Sequence, residues 1–291
     1  MQIYNSLTRK KEEFITNEPG KLKMYTCGPT VYHFAHIGNL RSYTMEDVLE
    51  KYLRYIGYDV TRVMNITDVG HLTDDGDNGE DKMAKTAREQ KKDPWQIAKY
   101  YTEIFLKDFG RLNIGVPEIV CTATDYIGEM IESVEGLVEN GYGYETDDGI
   151  YYDISKFKDY GQLSGNTLDD LKAGARIEVG EIKEAAADFA LWKAAKPGEP
   201  HWHSHFSEGR PGWHIECSAI SLNTLGEYLD LHCGGIDNAF PHHTNEIAQS
   251  ESYIGHDWCK QWFHVHHLNT NSGKMSKSKG EFLTVSLLEE K

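Results

Sequence analysis

The sequence predicts an α/β fold: a parallel sheet with helices on both faces, plus a small inserted subdomain. Two observations predict it. A strand–helix–strand pattern runs from Lys21 to Thr67, and a similar alternation returns between Gly212 and Leu268 after a stretch of different character. Strands joined through a helix lie parallel, because the crossover carries the chain back to the end where the first strand began.

In the first unit, half-apolar Lys23–Thr26 reads as a strand, stopped by Gly28 and Pro29. Leu40, Tyr43, Val48, Tyr52 and Tyr55 then recur at near-helical intervals, and Gly57 suits the helix end. Asp59–Thr67 is the second strand. Residues 70–81, GHLTDDGDNGED, read as an acidic, glycine-rich loop. Helices are expected at about 83–92, 94–111 and 127–140. The second opens with Asp93 as cap and Pro94 at its first position, where a missing N–H costs nothing. From 142 to 206, Tyr151, Tyr152, Gly161, Gly165 and Gly174 punctuate short strands and turns. The main domain is therefore expected over 1–120 and 207–291, interrupted by an insertion over 121–206. The α/β pattern resumes at Gly212–Gly226, Tyr228–Asp237, Pro241–Gly255 and Trp262–Leu268, and Val285–Lys291 reads as the opening of an amphipathic helix.

Composition narrows the function. A chain of 291 residues, 39% hydrophobic and 26% charged, can bury a sizeable core without covalent staples. It holds no apolar run long enough to span a bilayer, and its first residues show no secretory pattern, so a cytoplasmic protein with no membrane partner is expected. Five widely spaced cysteines, an odd number, argue against a disulfide framework. The net charge of −16 disfavours a bulk electrostatic grip on nucleic acid, so contact with a polyanion must come from local basic groups.

Three motifs carry chemistry. His36-Ile37-Gly38-Asn39 lies between a strand end and a helix start. Free N–H groups and the positive dipole end there suit a phosphate, and the plainer reading is a loop that caps the helix. Lys274-Met275-Ser276-Lys277-Ser278, flanked by Gly273 and Gly280, suits a loop that closes over phosphates, or simply an exposed basic loop. Cys27, Cys217, His242 and Glu246 form a candidate metal set. His242 and Glu246 are four apart and share a helix face, and two thiolates, an imidazole and a carboxylate suit Zn²⁺. The alternative is that both cysteines are small buried hydrophobes and His242 caps a helix. His201, His203 and His205, and likewise His264, His266 and His267, read as strand alternation at a surface; Cys121 and Cys259 read as packing residues.

Taken with MYTCGPTVYHFAHIGN, NITDV, GWHIECSA, HCGGID and FPHHTNEIAQS, these motifs make the chain resemble the cysteinyl-tRNA synthetases, within class I of the aminoacyl-tRNA synthetases, over essentially its whole length. The resemblance implies a Rossmann-like (HUP-type) catalytic domain that activates L-cysteine with ATP and Mg²⁺ and passes it to tRNA-Cys. It makes Cys27, Cys217, His242 and Glu246 ligands of one Zn²⁺, which the substrate thiol joins. It places Thr67 and Trp213 in the cysteine pocket. It sets His36, Gly38, Asn39, Lys274 and Lys277 on the phosphates, and Gly234, Gly235 and Asp237 on the ribose. Asn39 stands where the commonest form has histidine, and Cys233 where glycine is usual.

Relatives continue into a helical, anticodon-binding region beyond this sequence, so weakened tRNA binding is expected, and a monomer. Two rivals remain at this point: a cysteine ligase with a non-tRNA acceptor, as in the mycothiol pathway, and a non-catalytic zinc-binding paralogue.

Overall fold

Lys21–Thr26 (β3) takes the central place in a parallel sheet because both its faces are apolar: Leu22 and Met24 pack to one side and Tyr25 to the other, all buried. The computed structural model describes residues 1–69, 82–167, 183–270, 273–274 and 283–290. A hairpin of Gln2–Asn5 (β1) and Lys10–Glu13 (β2) precedes the central strand. Ile37–Tyr55 (α1) carries the chain back to Asp59–Ile66 (β4), which pairs with β3 in parallel from Lys21↔Asp59 to Thr26↔Met64. Lys82–Gln90 (α2) and Pro94–Arg111 (α3) lead to Ile119–Thr122 (β5) beside β4. Asp93 caps α3 as its sequence requires, its carboxylate accepting from the Trp95 N–H.

Ile127–Glu139 (α4) then opens a region with its own core. Gly143–Thr146 (β6), Gly149–Tyr152 (β7), Phe189–Ala194 (β8), Trp202–His203 (β9) and Glu208–Pro211 (β10) form an antiparallel sheet in the order β6-β7-β8-β10-β9. Tyr152, Phe189 and Trp192 pack there against Met130, Val134 and Leu137 of α4.

Trp213–Leu225 (α5) returns the chain to the parallel sheet at Leu229–Gly235 (β11), next to β3, and His242–Ile254 (α6) leads to Cys259–Val265 (β12) outside β11. The order is β12-β11-β3-β4-β5. One half of the chain thus steps outward from β3 and the other from β11. Connections at the carboxyl ends of these two strands leave in opposite directions, and a crevice opens between them, the usual place for a ligand in such sheets. A short ladder of Asn269–Thr270 (β13) and Gly273–Lys274 (β14) follows, then Val285–Glu289 (α7). The acidic segment 70–81 lies outside the described residues. No helix among those described is long and apolar enough to cross a membrane.

The helical spacing that marks α1 does not mark its buried face. Val48, Tyr52 and Tyr55 are 55%, 49% and 86% exposed, while Leu40, Tyr43, Glu46, Asp47, Glu50 and Leu53 are buried. The inward stripe admits carboxylates because β4 brings a buried guanidinium to them: Arg62 Nη1 donates to Glu50 Oε2 at 3.0 Å, and Nη2 lies 3.6 Å from Glu46 Oε2.

Candidate active site

A cavity of about 440 Å³ occupies the crevice. Cys27 enters it from the end of β3, and His36, Gly38 and Asn39 from the start of α1. Thr67 reaches it from beyond β4, and Trp213, Cys217 and His242 from the first turns of α5 and α6. Gly28 makes the close approach possible, since a Cβ there would stand 1.5 Å from the Asn65 carbonyl oxygen.

His36 caps α1. Its Nδ1 accepts from the Asn39 N–H at 3.1 Å while Asn39 Oδ1 accepts from the His36 N–H at 3.2 Å, a reciprocal capping box. The plainer sequence reading, a capped helix start, is therefore realised. It coexists with a place on the cavity wall, where the N-terminal dipole end of α1 favours negative charge. The box also orients Asn39: its oxygen is engaged, which leaves the amide N–H groups as donors.

The four candidate metal ligands converge at the base of the cavity, all buried. Cys27 Sγ lies 3.8 Å from Cys217 Sγ and 3.9 Å from Glu246 Oε1; His242 Nε2 lies 3.5 Å from Cys217 Sγ and 3.0 Å from Glu246 Oε1. A regular tetrahedron around Zn²⁺, with bonds of about 2.3 Å to sulfur and about 2.0–2.1 Å to nitrogen or oxygen, has edges of about 3.8 Å between sulfurs, about 3.5 Å from sulfur to the lighter donors and about 3.3 Å between those. The donor set and its spacing fit such an ion. Burial pushes the Cys27 thiol well up and Cys217 to about 12, lowers His242 to about 3 and raises Glu246 to about 7. A dication reverses that preference by stabilising the thiolates and the carboxylate, as metal sites do.

Histidines that sequence reasoning missed surround this cage. His232 Nε2 lies 2.7 Å from Glu246 Oε2, steadying the carboxylate oxygen that faces away from Cys27, while its ring stacks on Trp262. His243 Nε2 lies 3.2 Å from Cys27 Sγ, and a second group of possible ligands, Cys27, His232, His243 and Glu246, shares two members with the first. The first group has both sulfurs and the tetrahedral edges, and is the better fit for zinc. His242 turns Nε2 to the cage and Nδ1 to His214 Nδ1, 2.8 Å away. His264 corrects a sequence expectation. It is half-buried on β12 with Nε2 2.8 Å from His243 Nδ1, because β12 lies directly beside β11 and turns this position toward α6. His266 and His267 line the cavity mouth. His201, His203 and His205 are exposed, and Cys121 and Cys259 are buried packing residues, as read from sequence; Cys233 is fully buried as well.

Beside the cage, Glu216 is buried and joins two strand-end residues: Asn65 Nδ2 and Thr67 Oγ1 both donate to Oε1, at 2.7 and 2.9 Å. Burial pushes this carboxyl up to about 8, against those two hydrogen bonds, which lower it. Trp213 stacks on His242 with ring centroids 4.4 Å apart. Gly235 and Asp237 border the cavity, whereas Gly234 sits against His243, where a Cβ would come within 2.7 Å of the ring. Lys274 is placed by its backbone in β14, just after β12; Lys277 lies outside the described residues.

This architecture is that of the class I aminoacyl-tRNA synthetases. The methionyl-tRNA synthetase of Mycobacterium tuberculosis, solved with methionyl-adenylate, superposes with a TM-score of 0.70 at 15% identity, over 93% of this chain and 62% of that one. The sequence narrows the class. The family profile of the class I (C) tRNA synthetase catalytic domain matches residues 13–290. The cysteine–tRNA ligase of Treponema denticola is 54% identical over 286 residues, and that of Pyrococcus furiosus 49% over 285, covering 97% and 98% of this chain. The chain belongs to the cysteinyl-tRNA synthetase family, as its catalytic domain, and spans 58% of the length of each of these two relatives.

Proposed function

We propose that this domain activates L-cysteine with ATP, giving cysteinyl-adenylate and pyrophosphate, for transfer to tRNA-Cys. The observation that carries the reading is that a cage with two thiols lies in the same crevice as the N-terminus of α1. A metal-ligand set and a phosphate-favouring helix end are thereby brought to one substrate-sized space.

In this reading Cys27, Cys217, His242 and Glu246 hold Zn²⁺. The bound ion supplies a soft position that a substrate thiolate fills and a serine hydroxyl does not. Thr67 and Trp213 border the amino-acid pocket. His36, Gly38 and Asn39 meet the phosphates of MgATP at the α1 dipole, Gly235 and Asp237 take the ribose with Gly234 supporting them, and Lys274 and Lys277 offset charge moving onto the leaving pyrophosphate. The cysteine carboxylate attacks the α-phosphorus directly. The protein supplies no nucleophile; it aligns two bound reactants and stabilises phosphoryl charge. The −16 net charge leaves tRNA to be met by local basic groups at the mouth and by whatever else the whole protein brings.

The test is cysteine-dependent ATP–pyrophosphate exchange by zinc-assayed protein, followed by charging of tRNA-Cys. Exchange with cysteine and not with serine is expected. Absence of exchange in folded, zinc-loaded protein defeats the reading.

A further inference from the structure

Residues 82–99 reverse the charge of the chain. Lys82, Lys85, Arg88, Lys91, Lys92 and Lys99 stand there against Glu89 and Asp93 alone, a local +4 in a sequence of net −16. The last five of these cations are exposed, and Lys82 lines the cavity. Over its first three turns α3 exposes Trp95, Gln96, Lys99, Tyr100 and Glu103, with no aliphatic side chain among them. Trp95 and Tyr100 are 46% and 45% exposed. Five residues of helix set them about 140° apart, at the two edges of this face. Trp95 meets Trp202 of β9 edge to face, with ring centroids 6.2 Å apart. Tyr100 meets Phe34 at 6.5 Å, and Phe34 stands on the cavity wall. Lys92 Nζ lies over the Tyr100 ring, 5.2 Å from its centre, and Lys82 Nζ lies 5.7 Å from that of Tyr32, also on the wall.

Cations interleaved with aromatic rings suit a polyanion that also offers flat π faces, which is single-stranded nucleic acid. A duplex keeps its base faces stacked inside, so these rings gain only from unpaired bases. A peptide with an apolar face would find no aliphatic surface here. We propose that the outer face of α3 is the landing surface for the unpaired 3′ end of tRNA, whose bases stack on Trp95 and Tyr100 while Lys92 and Lys99 meet its phosphates. The proposal rests on the cysteine-activation reading and adds the path by which the acceptor strand reaches the cavity. That path runs from Trp202 at the antiparallel sheet, across α3, to the rim at Phe34. The acidic body on either side repels a strand that leaves the path.

The test compares two probes by fluorescence anisotropy: tRNA-Cys, and the same tRNA with its unpaired 3′ nucleotides removed. The first variant combines Trp95→Ala with Tyr100→Ala, both at exposed positions outside the cavity wall, so the fold and the activation site are spared. The second combines Trp95→Phe with Tyr100→Phe, which keeps an aromatic face at each position. The third combines Lys92→Gln with Lys99→Gln. Each is also assayed for cysteine-dependent ATP–pyrophosphate exchange, which needs no tRNA.

We expect the alanine variant to bind intact tRNA about tenfold or more weakly and the trimmed tRNA as wild-type protein does. The phenylalanine variant should stay within about threefold of wild type, since stacking needs a ring and not a particular one. The glutamine variant should flatten the dependence of log affinity on log salt by about one unit. Exchange should hold in all three. The inference is overturned by unchanged affinity in the alanine variant, by equal loss for both probes, by equal loss in the alanine and phenylalanine variants, by an unchanged salt slope, or by loss of exchange. If wild-type protein catalyses exchange but binds both RNAs alike, only the inference falls. If it catalyses no exchange, the functional reading falls and takes the inference with it.

Discussion

In the antiparallel sheet, Lys193 donates to Asp148 and to the Tyr151 hydroxyl, each at 2.5 Å, and Asp188 accepts from Tyr144 and from the N–H groups of Ile154 and Ala185. Apart from Arg210 Nε, which lies 3.7 Å from Glu199, its buried polar side-chain atoms among the described residues have hydrogen-bond partners, the Tyr152 hydroxyl at Ala248 and Ser252 of α6. The parallel-sheet crevice and its flank differ. Both Glu46 oxygens, Arg62 Nη2, His232 Nδ1 and His264 Nδ1 are buried with no hydrogen-bond partner among the described residues, and four potential ligand atoms are gathered at one point. Buried polar groups in folded proteins are paired nearly everywhere, so a concentration of exceptions marks where something else completes the structure. The first region is nearly complete in its own hydrogen bonds; the second keeps buried polar atoms unpaired, as the proposed metal and substrate site requires.

The largest effect should come from breaking the cage. Cys217→Ser replaces a soft ligand with a hard, neutral hydroxyl. Zinc measured by atomic absorption should fall from one per chain toward none, and exchange should drop by at least about 10²-fold. A variant with full zinc and wild-type cysteine affinity would remove Cys217 from the ligand set.

Lys277→Ala comes next. In the proposed reading its charge is needed most as the pyrophosphate leaves, so adenylate formation should slow by about 10²-fold with cysteine binding little changed, read by single-turnover kinetics. An unchanged rate would make the KMSKS segment ordinary surface.

His232→Phe keeps the stacking on Trp262 and removes the contact to Glu246. Zinc affinity, from competition with a chelator, should fall by about 10–100-fold. Unchanged affinity would show that Glu246 needs no support.

The smallest catalytic effect should lie in the other region. Lys193→Met strands Asp148 and Tyr151 in the antiparallel sheet, and denaturant unfolding should register a loss of about 1–3 kcal/mol. Zinc content and exchange should hold. A loss of zinc there would erase the distinction between the two regions.

The parallel layer was legible because its strands and crossover helices announce themselves by apolar runs and by Gly and Pro at their ends. The first crossover was readable even though the buried face of α1 was not: its stripe holds Glu46, Asp47 and Glu50, and a pattern of apolar residues cannot show that Arg62 waits opposite. The start of β12 at Cys259, three residues before the expected Trp262, is fixed by pairing with Leu229, a partner thirty residues away. The cage itself was suggested by donor chemistry but singled out only by resemblance, since no close cysteine pair advertises it. His232, His243, His264 and Glu216 left no local signal. Each matters because of what another segment brings beside it, as α5 brings Glu216 to Thr67.

Cys27 and Cys217 are 190 residues apart, and the strand carrying the first is completed only when β11 pairs with it. At ~5–20 residues/s on a ribosome, roughly 10–40 s separate the synthesis of the two thiols. Through that interval Cys27 belongs to a strand whose β11 neighbour does not yet exist, and its sulfur, buried at the end, is open to any soft metal or oxidant that reaches it. The nascent chain thus passes through a window of chemical vulnerability whose length is set by everything threaded between the two cysteines, the whole antiparallel sheet included.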